Sequence, residues 1–447
     1  MRRIVAIADD LSGAAETAIA LAPTAARGAQ DVPAAARIVL LSGIARLAPV
    51  SSHRFLVIDT DNRRFPVEDS TRRLESLLQH VLDGERSAAT PLVFLKVDSL
   101  LRGHLAASIG ALAAHGPVVF APALPALDRS TIDGVVHAEG TPLHQTTLWH
   151  AENTAVPSTI AAALAPLRTA LVDLGAVRGP QTALDDRLRE LASAGTIAVC
   201  DAETADDLDA VAAAALRQVG THLVGASAFG AALGRAAERM LTLRPPQHPL
   251  SRNSPSRNSP SRVAGISVSD PGTSVLVVVG TASSQSREQL RTLADEGVTL
   301  ITLRPVDLLN GTADSTALRT ALEQGSAAVC VDQQTIDPAV SGRLAEALAE
   351  FVAPVTTGRH LVLTGGATAR AVLDSMGVRW MDPVHEIEHG AVLSRTDQGT
   401  LVVTRPGSFG APRSLHGIHQ HLLALPLAPP HSTPSAAVRP APISGAS

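Results

Sequence analysis

The stretch Pro91-Leu92-Val93-Phe94-Leu95-Lys96-Val97-Asp98-Ser99-Leu100-Leu101-Arg102-Gly103 decides the fold. Its first part is an unbroken apolar run behind a proline, the pattern of a strand buried on both faces. Its second part turns abruptly to Lys, Asp, Ser and Arg. Parallel α/β sheets carry their sites in this way, at the carboxyl ends of buried strands. Outward from this stretch the same alternation recurs. Residues 4–8, 39–41, 55–58, 92–95 and 117–121 read as strands, with helices at 13–21, 70–82 and 104–114 between them. Residues 134–143 read as a turn-rich hairpin. Strands resume at 170–172, 197–199 and 222–224. The expectation is an α/β fold of mainly parallel sheet flanked by helices.

Near residue 243 the alternation breaks. Ser251-Arg252-Asn253-Ser254-Pro255 repeats as residues 256–260, and Ser261-Arg262 begins a third copy. A tandem polar Ser/Pro repeat has too little apolar surface to order itself. The reading is therefore of two domains, 1–244 and 273–425, each a mainly parallel sheet flanked by helices. A disordered linker, 245–272, joins them, and a disordered Pro/Ala/Ser-rich tail, 426–447, follows. The second domain opens on the strand 275–279 and continues through strands at 300–301, 327–331 and 360–363.

Composition narrows the function. The chain has 447 residues, 45% of them apolar, and a net charge of −5. Seven Phe, two Trp and no Tyr leave few stacking platforms. With no basic block, nucleic acid is excluded as the main partner. Cys200 and Cys330 each end an apolar run and read as buried thiols in a reducing compartment. No window is apolar enough for a membrane span, and Asp9 and Asp10 interrupt any signal-peptide core. A cytoplasmic protein with a small-molecule partner, alone or as a homo-oligomer, is the default expectation.

Five constellations carry chemistry. Lys96 is the only lysine among 37 Lys and Arg residues. Where nearly every cation is Arg, a retained lysine marks a place that requires a compact ammonium, unless it is merely a solvated charge. Lys96 and Arg102 together make a cationic pocket for a carboxylate or phosphate, and Asp98 can accept from a sugar hydroxyl; a plain salt-bridge network with Asp98 is the alternative. Ile7-Ala8-Asp9-Asp10-Leu11-Ser12-Gly13-Ala14 ends a strand in two acids and opens a helix that Ser12 can N-cap. Asp9 and Asp10 can bind hydroxyls, hold Mg2+ or act as general base, or simply start the helix. Pro122-Ala123-Leu124-Pro125, followed by Arg129, forms a rigid loop. His137, His144 and His150 lie nearby without zinc spacing. In the second domain Gly280-Thr281-Ala282-Ser283 and Thr364-Gly365-Gly366-Ala367-Thr368 are small-residue loops between a strand and a helix. Their bare backbone N–H groups suit phosphates. Arg405-Pro406-Gly407-Ser408-Phe409-Gly410 adds a third turn. None matches a P-loop or a G-x-G-x-x-G fingerprint, which argues against a nicotinamide-dependent oxidoreductase.

These strings resemble a family. Ala8 to Ala14 looks like the A-D-D-L-T-G-A opening of the four-carbon acid sugar kinases, and Lys96 to Gly103 like their K-x-D-S-T-L-R-G. Residues 121–125 with Arg129 resemble a P-A-F-P…R segment, and the three Gly-rich turns resemble the nucleotide motifs. The resemblance implies an acid-sugar domain followed by an ATP domain, with the γ-phosphoryl passing to the terminal hydroxyl of a tetronate or 3-oxo-tetronate. Asp9, Asp10, Lys96 and Asp98 are then the catalytic candidates, and Ser12, Ser99, Arg102 and Arg129 contact the substrate. Gly280, Thr281, Ser283, Gly365, Gly366, Ala367, Thr368, Gly407 and Gly410 hold ATP, with Mg2+ as its counter-ion. Ser12, Leu100, Ala367 and Arg405 depart from the usual Thr, Thr, Glu and Lys. The departures at Leu100 and Ala367 keep open the alternative of a non-catalytic sensor that binds the same ligands.

Overall fold

The computed structural model describes residues 3–22, 35–42, 53–83, 91–149, 155–242, 274–280, 283–332, 338–407 and 410–427. The expected linker, nearly all of the expected tail, His150 and Thr281 lie outside these residues.

Eight strands of the first half lie side by side and parallel. Their order is Ala36–Leu40, Phe55–Asp59, Ile4–Ala8, Leu92–Lys96, His222–Gly225, Val118–Ala121, Ile197–Cys200, Thr169–Val172. The central ones are buried on both faces, as Ile4–Ala8 and Leu92–Lys96 are throughout, which is why they read as continuous apolar runs. The expected hairpin is a separate small sheet, in which Arg129–Ile132 pairs with Val135–Ala138 and that strand with Thr141–Pro142.

The second half contributes five parallel strands in the order Thr299–Leu303, Ala327–Val331, Val275–Val279, His360–Thr364, Leu401–Arg405. Two antiparallel strands, Ala391–Thr396 and Trp380–Glu388, complete it. Neither of these two nor Leu401–Arg405 was expected from the sequence. Trp380–Glu388 carries a proline, alternating charges and two register shifts, which erase the period-2 signal.

Trp380–Glu388 joins the two sheets into one of 15 strands. It pairs with Ala36–Leu40, setting Trp380 opposite Val39 and Met381 opposite Ile38. Arg37 clamps this seam with two hydrogen bonds to Asp382, each 2.8 Å, and lies over the Trp380 ring. Below it, Arg370 of the helix Gly366–Ser375 reaches across to Asp59 at 2.8 Å and to the Leu41 carbonyl at 3.0 Å. Both charged groups are buried. Burial pushes the Asp59 carboxyl up to about 7 even beside Arg370. One apolar layer runs across both halves on this face, from Leu11 and Leu21 to Leu348 and Leu373.

The two parallel sets run in opposite senses, because two antiparallel strands and an antiparallel seam separate them. Their carboxyl ends nonetheless meet. Six strand steps separate His360–Thr364 from Ile4–Ala8, and twist of roughly 20–25° per step rotates one set far toward the other. The bulges in Trp380–Glu388 add to this turn.

Candidate active site

Where the carboxyl ends meet, both halves line a cleft of about 240 Å3. Its first wall is the turn after Ile4–Ala8. Asp10, not Ser12, caps the helix Leu11–Leu21, accepting the Gly13 N–H at 2.6 Å. The helix starts two residues earlier than expected, so Ser12 lies in its first turn and faces the cleft. Burial disfavours the Asp10 charge, but Arg63, Lys96 and the Gly13 N–H outweigh it and hold the carboxyl below its usual range. Asp9 stands beside the cleft instead of in it, lining a small cavity with Asn62 and His104. Arg63 grips it at 2.9 and 3.0 Å and also pairs with Asp10.

The second wall is the turn after Leu92–Lys96. Lys96 is 8% exposed. Its Nζ lies 3.2 Å from where a Cβ on Gly13 would stand, so the glycine makes room for the ammonium. Among the described residues Lys96 makes no ion pair. Arg102, by contrast, is bound to Asp98 through two hydrogen bonds of 2.9 and 2.7 Å. Asp98 is partly buried, yet Arg102 holds its carboxyl well below the carboxylate range. The salt-bridge alternative therefore holds for Arg102 and fails for Lys96. Arg129 donates to Ser99 at 2.7 Å, and both line the cleft. Leu101 adopts φ 64°, a strained value for a bulky side chain, and Asp128 and Asp61 share the left-handed region. Each of these residues stands one or two positions before a cleft arginine, Arg102, Arg129 and Arg63.

The third wall comes from the second half and includes Gly366, His389, Pro406 and Gly407. A Cβ on Gly366 would stand 3.3 Å from Ser12 Oγ and 3.8 Å from Asp10, so across the cleft this glycine lets the second half approach the turn of the first. Gly365, at φ 95°, ends the strand and caps the helix behind it. The other nucleotide candidates have structural partners. Ser283 caps the helix Ser284–Asp295. Gly280 sits under Thr368, and a Cβ there would be 1.8 Å from Thr368 Oγ1. Gly410, at φ 90°, turns its carbonyl to Gln285 and Gln289. Arg405 is buried and donates to Gln289 Oε1 at 3.0 Å, so it faces the core and not the cleft. Ala367 lines a neighbouring groove of about 680 Å3 with Arg63, Arg64 and Arg370. Leu100 is core, 2% exposed. Neither Leu100 nor Ala367 removes a polar group from the cleft itself.

Sequence reasoning missed Arg63, Glu16, Ser227 and His389, all of which line the cleft. Arg63 stands in a polar turn with no motif around it, and Glu16 looks like an ordinary helix acid. The sheet's curvature, which no local pattern encodes, delivers His389.

Two family models match this chain. A sugar-binding N-terminal domain covers residues 4–233, and a nucleotide-binding C-terminal domain covers 276–415. The D-threonate kinase of Cupriavidus necator is 32% identical over 430 residues, covering 92% of this chain and 95% of the relative. The D-erythronate kinase of Heliobacterium modesticaldum is 25% identical over 455 residues, covering 92% and 94%. A Haemophilus influenzae structure of the DUF1537 family shares the fold, with a TM-score of 0.64 at 17% identity over 94% of this chain and all of that one. The kinase relatives, matched over most of the chain, define a phosphotransferase with an alcohol group as acceptor. The chain belongs to the four-carbon acid sugar kinase family. Among the described residues no helix is long and apolar enough to cross a membrane.

Proposed function

We propose that the protein transfers the γ-phosphoryl group of ATP to the C4 hydroxyl of a four-carbon acid sugar, a tetronate or 3-oxo-tetronate. One observation carries this reading. The sole lysine presents an ammonium that pairs with no acid among the described residues, in a cleft whose opposite wall includes Gly366 of the other half. Residues 1–244 serve as the acid-sugar half, 273–425 as the nucleotide half, with 245–272 as linker and 426–447 as tail.

Within the cleft Lys96 and Arg129 take the substrate carboxylate, since Asp98 already neutralises Arg102. The Ser12 and Ser99 hydroxyls bond to the sugar hydroxyls. The triphosphate lies along the turns that end Val275–Val279, His360–Thr364 and Leu401–Arg405, which are neighbours in the sheet. Backbone N–H groups of Gly366 and Gly407 face it, and Gly280, Ser283, Gly365, Ala367, Thr368 and Gly410 shape those turns. Mg2+ accompanying ATP would supply charge neutralisation; among the described residues no group of three or more His, Cys, Asp or Glu is placed to hold it, so the phosphates themselves would be its main ligands. Phosphoryl transfer asks of the protein mainly positioning and charge stabilisation, and two facing walls provide both.

A coupled ADP-release assay over D-threonate, D-erythronate, their enantiomers and the 3-oxo acids tests the proposal. Turnover of at least one acid with ATP is expected. Binding of acid and nucleotide without turnover would refute the kinase reading in favour of a sensor.

A further inference from the structure

We infer that Glu16 is the general base, the group that takes the proton from the attacking C4 hydroxyl. The inference rests on the kinase reading and assigns a role that reading leaves open. Asp10, Asp98 and Glu16 line the cleft, with Asp9 in the cavity beside it, and of these four carboxylates three are engaged. Asp9 and Asp10 are held by Arg63, and Asp10 also caps its helix. Asp98 is bound by Arg102 and accepts the Leu100 N–H at 2.9 Å. A carboxylate whose lone pairs are already taken by cations is a poor proton acceptor. Glu16 is the fourth. Among the described residues no hydrogen bond or ion pair holds its side chain, although it lines the cleft.

Its placement suits the task. Glu16 is one helical turn beyond Gly13, and positions three apart share a helix face. The Lys96 ammonium lies over Gly13 on that face, so Glu16 flanks the cation that anchors the substrate. From the other side Gly390 and Pro406 close in; a Cβ on Gly390 would stand 3.5 Å from Glu16 Oε1. The carboxylate therefore sits at the junction of the acid-sugar wall and the nucleotide wall, where a terminal hydroxyl meets a γ-phosphorus. The charged groups facing it are Lys96, Arg129, Asp10, His389 and Glu386. Burial outweighs the Lys96 attraction and raises its pKa, in the direction that favours a base working near neutrality.

In the step assigned, the C4 oxygen forms a bond to the γ-phosphorus. The bond from that phosphorus to the β–γ bridging oxygen breaks, and ADP leaves with the electron pair. The hydroxyl proton passes to a Glu16 carboxylate oxygen and then to solvent.

Glu16→Gln tests this, with Glu16→Asp beside it. In the ADP-release assay Glu16→Gln should lower kcat by roughly 10²–10⁴, leave the acid KM within about threefold, and abolish the acid limb of the kcat–pH profile. Glu16→Asp should keep that limb at an intermediate rate. If the wild type turns over and Glu16→Gln stays within about tenfold of it with the limb intact, the assignment falls while the kinase reading stands. If the wild type turns over no four-carbon acid, both fall. Should Glu16→Gln fail to fold, Glu16→Asp decides: full wild-type kcat overturns the assignment, and a fall of at least about tenfold with the limb kept supports it.

Discussion

Gly280→Ala will test whether the glycine after Val275–Val279 is there for its neighbour or for a ligand. The added Cβ would lie 1.8 Å from Thr368 Oγ1, 2.8 Å from its Cβ and 3.1 Å from its Cγ2. Ordinary contact needs about 3.4 Å or more, so the side chains must part by roughly 1.5 Å. A χ1 rotation of Thr368 does not help, because all three of its side-chain atoms are too close. Thr368 is buried in the first turn of Gly366–Ser375, the helix that carries Arg370 to Asp59. It has little freedom to retreat. Overpacking of this kind costs about 1–3 kcal/mol, and the stiffer unfolded chain returns about 0.4–1 kcal/mol. A parting this large puts the cost near the upper end of that range, so the net expectation is a loss of about 2 kcal/mol in urea unfolding at unchanged m-value. Thr368→Ala removes two of the three contacts, so the double variant should recover about half of that loss, with a coupling of at least about 1 kcal/mol. Additivity within about 0.3–0.5 kcal/mol would refute the steric argument. If Gly280→Ala then weakened ATP binding at unchanged stability, the glycine would be there for close approach of a phosphate.

Lys96→Arg should lower kcat/KM at least roughly a hundredfold, about 2.7 kcal/mol of transition-state stabilisation, with Tm nearly unchanged. Near-full activity would return the lysine to the status of an ordinary charge. Arg370→Met strands the buried Asp59 and should cost about 3–5 kcal/mol in denaturant unfolding; a loss below about 1 kcal/mol would show that the seam does not depend on the pair. Two carboxylates should give opposite pH slopes in stability. The folded pKa of Asp98 is depressed, so its contribution is complete above the ordinary carboxylate range and is lost as pH falls through and below it. Asp98→Asn should flatten the acid side of the profile. That of Asp59 is raised to about 7, so its contribution is present at low pH and is lost as pH rises through about 7. Asp59→Asn should flatten the stretch from about pH 4 to 7, and an unchanged slope in thermal melts would contradict the assignment.

The parts of this fold that could be read from sequence are those in which a buried strand ends in a polar turn. Leu92–Lys96 and Val275–Val279 announce themselves because burial on both faces demands unbroken apolar runs. Of the residues adjoining such strands, Asp10, Ser12, Lys96, Ser99, Arg102 and Arg129 line one cleft. Asp9 and Ser12 show the limit. Which of two adjacent acids faces the cleft depends on where the helix begins, and the Asp10–Gly13 hydrogen bond sets that start. The glycines of the second half were legible as special but not in their cause. Gly280 answers to Thr368 and Gly366 to Ser12, contacts that only the packed molecule reveals. The seam was illegible because Trp380–Glu388 is bulged and charged, and its partner strand lies in the other half of the chain.

That seam also dictates a schedule for folding on the ribosome. Arg37 and Asp382 are 345 residues apart in sequence. At synthesis rates of roughly 5–20 residues per second, the strand Ala36–Leu40 emerges some tens of seconds before its partner exists. Throughout that interval the nascent first half exposes a bare rim of backbone donors and acceptors, able to pair with any neighbouring nascent chain. Either half produced alone keeps that rim for good. The two halves are thus poor modules to separate, and a truncated first half should associate through Ala36–Leu40 where the whole chain does not.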